Sequence, residues 1–320
     1  ASLDRELPGQ AWELLSIARY RAHNWHLWTG DPSGGYASVQ TSLGCPFRCS
    51  FCCINAPFGE AGIRLWSPDN AAAQIEALVR DHNITNIKIP DEMFCLNPKQ
   101  VRAICHRLID RGLGSRLNLW AYARIDTVGD EEMLALMRQA GFRWLGLGIE
   151  SGSRHVRAGS SKGAFDDGDV SAAVRRVQAH GICVGANYIF GLPDDTLKAM
   201  EATIALACEL NTEWANFYCA MAYPGSALHE EAEKNGTTLP ESRGGPGWIG
   251  YSQHAYETFP LPTEELTAAE VLEFRDAAFM TYFSRQSYQD MVRIKFGVRA
   301  LDDVRRMLAV GRPKRKLLGD

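Results

Sequence analysis

An alternation of short β-rich runs with longer amphipathic helical runs, repeated about six times, restricts the fold of this chain more than any other feature. Residues 36–43, 86–89, 117–122, 144–149, 183–190 and 214–221 carry the β-branched and aromatic residues of strands. Residues 68–82, 98–111, 130–140, 169–180 and 196–210 carry apolar residues at helical spacing. The boundaries have local causes. Ser67 or Asp69 caps the first helix, while Gly112, Gly141 and Gly181 end the next three. Strands that alternate with helices predict a parallel sheet with helices packed outside it. Right-handed crossovers then curl six units into an incomplete barrel. The expected fold is therefore α/β, a partial (βα)6 TIM-like barrel, with its functional groups at the C-terminal ends of the strands.

The two ends of the chain differ from this repeat. Residues 1–35 hold Trp12, Trp25 and Trp28 among Pro and Gly, and read as an N-terminal linker and cover. Residues 36–225 form the barrel. Residues 226–320 read as a loop, rich in Gly, Pro and Ser over 235–261, followed by a C-terminal helical extension. That extension offers Leu272, Phe274, Ala278, Phe279, Tyr282 and Phe283 on one face and is expected to cover the barrel mouth.

The chain has 320 residues, of which 46% are hydrophobic, enough for a large core. The net charge of -4 implies no broad basic field, so nucleic acid is not an expected partner. The one basic run, Arg312-Pro313-Lys314-Arg315-Lys316, reads as a solvated tail. No apolar run approaches the ~20 residues needed for a transmembrane segment. Nine cysteines, an odd number spread over helices and strands, fit reduced thiols in a cytoplasmic protein better than a disulfide framework.

Three of those cysteines stand apart. Gly44-Cys45-Pro46-Phe47-Arg48-Cys49-Ser50-Phe51-Cys52 spaces Cys45, Cys49 and Cys52 as C-x3-C-x2-C, directly after the first predicted strand. Three thiolates hold three corners of a four-iron cluster and leave one iron open, whereas electron-transfer clusters normally close all four corners with cysteine. Two other readings stand beside this one. One is zinc, which normally takes four protein ligands in a structural site. The other is a non-catalytic iron–sulfur electron-transfer protein.

This loop resembles the signature of the radical SAM superfamily, C-x3-C-x-aromatic-C at the end of the first barrel strand. The resemblance covers roughly residues 36–225. It implies a [4Fe–4S] cluster on Cys45, Cys49 and Cys52, with S-adenosylmethionine (SAM) bound at the open iron. It also implies reductive cleavage of SAM to a 5′-deoxyadenosyl radical, with the hard chemistry belonging to the cofactor. A one-electron reductant such as flavodoxin or ferredoxin would be a partner, and a small molecule or a lipid the substrate. Further residues follow from the resemblance. Asp91 and Glu92 stand where the family meets the SAM ammonium. Arg124 is suited to pair with the SAM carboxylate, or with Asp126 or Asp91. Glu150, in Gly148-Ile149-Glu150-Ser151, stands where an acid accepts from ribose hydroxyls. Asn187 and Ile189 precede a Gly191-Leu192-Pro193 turn and would support ribose and adenine, with Phe51 beside the cluster.

The run Leu7-Pro8-Gly9-Gln10-Ala11-Trp12-Glu13-Leu14-Leu15 resembles the linker that follows a cobalamin-binding domain in the cobalamin-dependent branch of that superfamily, and Cys52-Cys53-Ile54-Asn55-Ala56-Pro57-Phe58-Gly59 is similar to that branch too. The sequence lacks the branch's Asp-x-His-x-x-Gly cobalamin stretch. The branch implies C-methylation of an unactivated carbon with cobalamin held elsewhere, or else a rearrangement, cyclisation or dehydrogenation without methyl transfer.

Overall fold

The computed structural model describes residues 2–163 and 165–320. Six parallel strands form one curled sheet in which each strand pairs with the next in the chain: β1 (Gly35–Ser38), β2 (Ile84–Ile89), β3 (Asn118–Arg124), β4 (Phe142–Glu150), β5 (Cys183–Phe190) and β6 (Trp214–Cys219). The order is sequential because each strand returns through an outer helix: α1 (Pro68–His82), α2 (Pro98–Asp110), α3 (Glu131–Gln139), α4 (Asp167–Ala179) and α5 (Leu197–Leu210). β1 and β6 pair on one side only, so the sheet is a half-barrel with a lateral seam.

The helices form where their caps and apolar stripes require. The Ser67 side chain accepts from the Asn70 amide, Pro68 opens α1, and Asn83 ends it in a left-handed conformation. Its Ala71, Ala72, Ile75, Leu78 and Val79 are buried against the sheet. Asp130 and Thr196 cap α3 and α5 in the same way. The strands divide their residues by parity. Leu119, Ala121 and Ala123 of β3, with Val184, Ala186, Tyr188 and Phe190 of β5, belong to the core outside the sheet. Trp120 and Trp144 face inward, meeting Trp25.

The N-terminal segment plugs the lower end of this half-barrel. The Trp25 ring lies 4.9 Å from both Trp120 and Trp144, edge to face. Beneath it, Asn118 donates to the His26 carbonyl and to Asn86, and Thr29 accepts from the Trp144 indole. His26 is buried and donates through Nε2 to the Asn118 carbonyl, and burial holds its pKa down to about 4. It is therefore neutral in the fold.

Two expectations are revised. Residues 36–43 do not make one strand: the chain leaves the sheet after Ser38, and Ser42–Leu43 pairs antiparallel with Arg64–Leu65. The cause is Asp91, which accepts from the Thr41 amide, the Thr41 hydroxyl and the Ser42 hydroxyl and turns the chain toward the mouth. The C-terminal helices α6 (Ala268–Ser284), α7 (Gln286–Phe296) and α8 (Val298–Ala309) do not cover the mouth. α6 runs down the outside of β5 and β6, from Phe274 against Phe190 to Tyr282, whose hydroxyl donates to the Thr212 carbonyl. Beyond it, Tyr288 donates to the Glu213 carbonyl and the Trp28 indole to Asp303, so α7 and α8 close the lower end. The apolar face of α6 had a nearer partner than the mouth, namely Phe217 and its neighbours on the outer side of β6.

Candidate active site

The three cysteines sit on the loop that Asp91 turns. Gly44 enters it at φ +83, where an added Cβ would lie 2.5 Å from the Gly62 carbonyl oxygen. Backbone bonds fix its course. Gly62 donates to the Cys45 carbonyl, Ser50 to the Ser160 carbonyl, Leu228 to the Ser50 carbonyl and Cys52 to the Cys49 carbonyl. The Cys49 thiol points to the Ser161 carbonyl at 3.7 Å. Burial raises the Cys45 thiol; the Cys52 residue is exposed, yet local desolvation of its sulfur raises that thiol as well, and the neighbouring thiolates add to both rises. Metal binding to such thiols displaces protons.

Around this loop the strand ends bring three charged groups. Arg124, the last residue of β3, stacks its guanidinium 4.0 Å over the Phe47 ring. Nε and Nη2 donate to the two Asp126 oxygens at 3.0 Å, while Nη1 is buried with no partner among the described residues. A buried donor on a guanidinium is costly to leave unmet, so the site fits a ligand that carries an anionic group. Burial raises the pKa of Glu92, and its charge is felt by Cys45 and by Lys88. Its carboxylate makes no ion pair among the described residues.

Glu150 reaches the site through a backbone irregularity. The register of β4 against β5 shifts between Gly148 and Glu150, and Glu150 adopts φ +67. A bulge of this kind re-aims a side chain beside a site. Its Oε1 lies 2.7 Å from Lys162 Nζ, both side chains being buried. A Cβ on Gly148 would collide with both groups, so glycine makes room for the pair.

The remaining expected residues lie in different settings. Phe51 and Ile189 pack in one apolar cluster and line a 230 Å³ pocket with Tyr218, Cys219, Ala220, Met221, Tyr223 and Gln253. Asn187 sits deeper, with its amide committed: Oδ1 accepts from Asn216 and Nδ2 donates to the Leu147 carbonyl. The Asp91 carboxylate is spent on Thr41 and Ser42. Three contributors escaped the sequence reading: Lys162, Phe47 and Lys88. Lys162 follows a short helix, Arg154–Gly159, and comes to Glu150 only through the tertiary fold.

A parallel half-barrel with three cysteines on the loop after its first strand, and a guanidinium with an unmet donor beside them, has the layout of a barrel enzyme with its site at the strand ends. More narrowly, the chain belongs to the radical SAM superfamily, which matches residues 39–207. An uncharacterised methyltransferase of Pyrococcus horikoshii is 31% identical over 73% of this chain and 48% of its own length. The anaerobic magnesium-protoporphyrin IX monomethyl ester cyclase of Cereibacter sphaeroides is 25% identical over 78% of this chain and 39% of its own. This chain thus spans less than half the length of those relatives. Among solved structures, the radical SAM methyltransferase TsrM of Kitasatospora setae, determined with cobalamin and a [4Fe–4S] cluster bound, superposes with a TM-score of 0.57. It shares 21% identity and covers 63% of this chain and 40% of its own, which shows a common fold. Family membership replaces the zinc and electron-transfer readings, and the family's cofactors are a [4Fe–4S] cluster and SAM. No helix among the described residues is long and apolar enough to cross a membrane.

Proposed function

We propose that this chain is the catalytic part of an enzyme that methylates an unactivated carbon, with cobalamin held by another part of the protein or by a partner. The methyltransferase named among its relatives supports the reaction class. The observation that carries the site reading is the unpartnered Arg124 Nη1 beside the cysteine loop.

In this reading Cys45, Cys49 and Cys52 hold the cluster, which supplies one-electron reduction of SAM. Arg124 takes the SAM carboxylate on Nη1 while Asp126 fixes the guanidinium plane. Glu92, unpaired and half-buried, faces the SAM ammonium. Glu150 accepts from the ribose hydroxyls while its ion pair with Lys162 holds the side chain in place. Phe51 and Ile189 bound the adenine pocket, whose 230 Å³ suits a single heterocycle. Asn187 steadies the wall below through Asn216, and Asp91 acts by setting the loop.

A second reading, radical cyclisation or rearrangement without methyl transfer, is favoured by the likeness to the Cereibacter cyclase. The first test is anaerobic reconstitution with iron and sulfide, reduction, and addition of methyl-labelled SAM, with Cys49→Ala as control. 5′-Deoxyadenosine from the wild type alone supports radical SAM chemistry in this segment. Label in a product, dependent on added cobalamin, supports methylation; product without label supports the second reading. A reconstituted four-iron protein that does not bind SAM would refute the site assignment.

A further inference from the structure

Inside the half-barrel, below the cysteine loop, lies a cavity of about 770 Å³. That is the size range of pockets that enclose whole organic ligands. Residues 22–25 of the N-terminal plug and the C-terminal extension from Arg275 to Arg315 wall it on the sides that the strands leave open. Trp25, Trp120, Tyr122, Tyr218, Phe279 and Met280 give it aromatic and apolar walls. Tyr218 also lines the 230 Å³ pocket, so the two spaces share a wall.

The charges lining this cavity do not balance. Three cations, Lys88, Arg275 and Arg315, face it with one carboxylate, Asp276, and burial lowers the pKa of the Lys88 ammonium from its ordinary value. Both oxygens of Asp276 are taken by the two arginines, at 3.0 Å from Arg275 Nε and 2.9 Å from Arg315 Nε. The other titratable groups on the walls add no negative charge at neutral pH. Burial holds His23 and His254 below the ordinary histidine value, and it pushes Tyr122 and Tyr218 up. The two arginines share that one carboxylate, and Lys88 has none. Its Nζ lies 4.6 Å from the Trp120 ring centre and 5.2 Å from that of Tyr122, and it has no ion pair among the described residues. Glu92 is the nearest influence of opposite sign and stays beyond ion-pair distance. A half-buried ammonium held only by ring faces is incompletely compensated. In a chain of net charge -4, a cavity with this excess of cations attracts anions by local arrangement and not by overall charge.

The geometry points to the substrate class: an organic anion with a flat unsaturated body. Its carboxylate or phosphate meets Lys88, and its rings lie against Trp120, Tyr122 and the His23–Trp25 stack, whose ring planes are within 6° of parallel. This inference rests on the reading of the site as a SAM enzyme, but its test does not use SAM. The whole chain, without cluster, is dialysed against 2-naphthoate, 2-naphthyl phosphate and the neutral 2-naphthylmethanol, and bound ligand is read by absorbance. One charge-assisted contact in a partly buried site gives roughly 10- to 100-fold in affinity. The wild type is therefore expected to bind one of the two anions by at least that lower factor over the alcohol. Whichever anion is preferred tells carboxylate from phosphate. Lys88→Met should abolish the preference while leaving alcohol binding and the circular dichroism spectrum unchanged, and Lys88→Arg should retain it. Equal binding of anions and alcohol, an anion preference that survives Lys88→Met, or no binding of any probe would each overturn the proposal. Formation of 5′-deoxyadenosine is read in a separate assay, so failure here is distinguishable from failure of the functional reading.

Discussion

Lys162 Nζ lies 2.7 Å from Glu150 Oε1, and the carboxylate it pairs with is carried by a residue at φ +67. A non-glycine residue in that region costs on the order of 1 kcal/mol or more, and it persists only where its surroundings hold it. The pair is one of those restraints. Removing one partner of a buried pair leaves an uncompensated charge, at a cost of about 3–5 kcal/mol. Lys162→Met should therefore lower unfolding stability in that range by urea titration, and Glu150→Gln in the same chain should recover part of the loss. A cost under about 1 kcal/mol would mean that water already screens the pair.

Arg124 separates binding from folding. Asp126, its only ion-pair partner among the described residues, is 43% exposed and can turn to water when the guanidinium is gone. Arg124→Met should thus leave the fold intact while weakening SAM binding to the reconstituted protein by roughly 10- to 100-fold, the worth of a charge-assisted contact. Arg124→Lys should fall between, because an ammonium cannot hold Asp126 and a second carboxylate with one planar fork. Equilibrium dialysis with labelled SAM measures both. Unchanged affinity in Arg124→Met would remove Arg124 from the site.

Gly44 tests whether the loop geometry, and not only the thiols, governs the cluster. An alanine there would adopt φ +83 and would set its Cβ against the Gly62 carbonyl oxygen, which is backbone and cannot swing aside. The penalty is about 1–3 kcal/mol, concentrated on the segment that carries Cys45. Gly44→Ala should lower iron and sulfide per chain after reconstitution while the circular dichroism spectrum holds. Cys53→Ala, one residue beyond the triad, should not lower them. Equal iron in Gly44→Ala and wild type would show that the loop relaxes at no cost to the metal.

What was legible in the sequence follows the range of the interaction. α1 and β5 have the bounds that caps, turns and periodicity predict, Pro68–His82 and Cys183–Phe190. Local chemistry is enough there: Ser67 and Pro68 start one, and Gly191 with Pro193 ends the other. The cysteine motif stands out for the same reason, being eight residues of contiguous chain from Cys45 to Cys52. Contacts between distant segments do not. Residues 36–43 have the composition of a single strand, yet Asp91, some fifty residues on, captures Thr41 and Ser42 and bends them out of the sheet. Nor does the N-terminal composition say where its aromatic cluster packs: Trp25 finds Trp120 and Trp144 at the lower end of the barrel. Lys162 and Lys88 carry no motif and acquire meaning only from Glu150 and the Trp120 ring.

The turn after β5 supplies a pH dependence that separates fold from chemistry. Asp195 is buried, and its Oδ2 accepts from the Gly191 and Leu192 amides, closing the Gly191-Leu192-Pro193 turn beneath Ile189. Burial nevertheless wins over those two bonds and pushes the carboxyl up to about 7, while Oδ1 has no partner among the described residues. The sign follows from linkage. The folded carboxyl holds its proton more tightly than the unfolded one, near 3.8. Its stabilising contribution is therefore complete below about pH 4 and is lost as pH rises through about 7. A rise of this size corresponds to on the order of 4 kcal/mol across the window. Asp195→Asn keeps an oxygen for the two amides and removes the titration. Urea unfolding at several values between pH 5 and pH 8 (roughly the window set by the folded pKa) should show stability falling with pH in the wild type more steeply than in Asp195→Asn. The variant should also be the more stable of the two at pH 8 (above the folded pKa). Parallel curves would mean that the Asp195 carboxyl titrates as an ordinary exposed acid, and that the turn at the proposed adenine wall is held by its backbone alone.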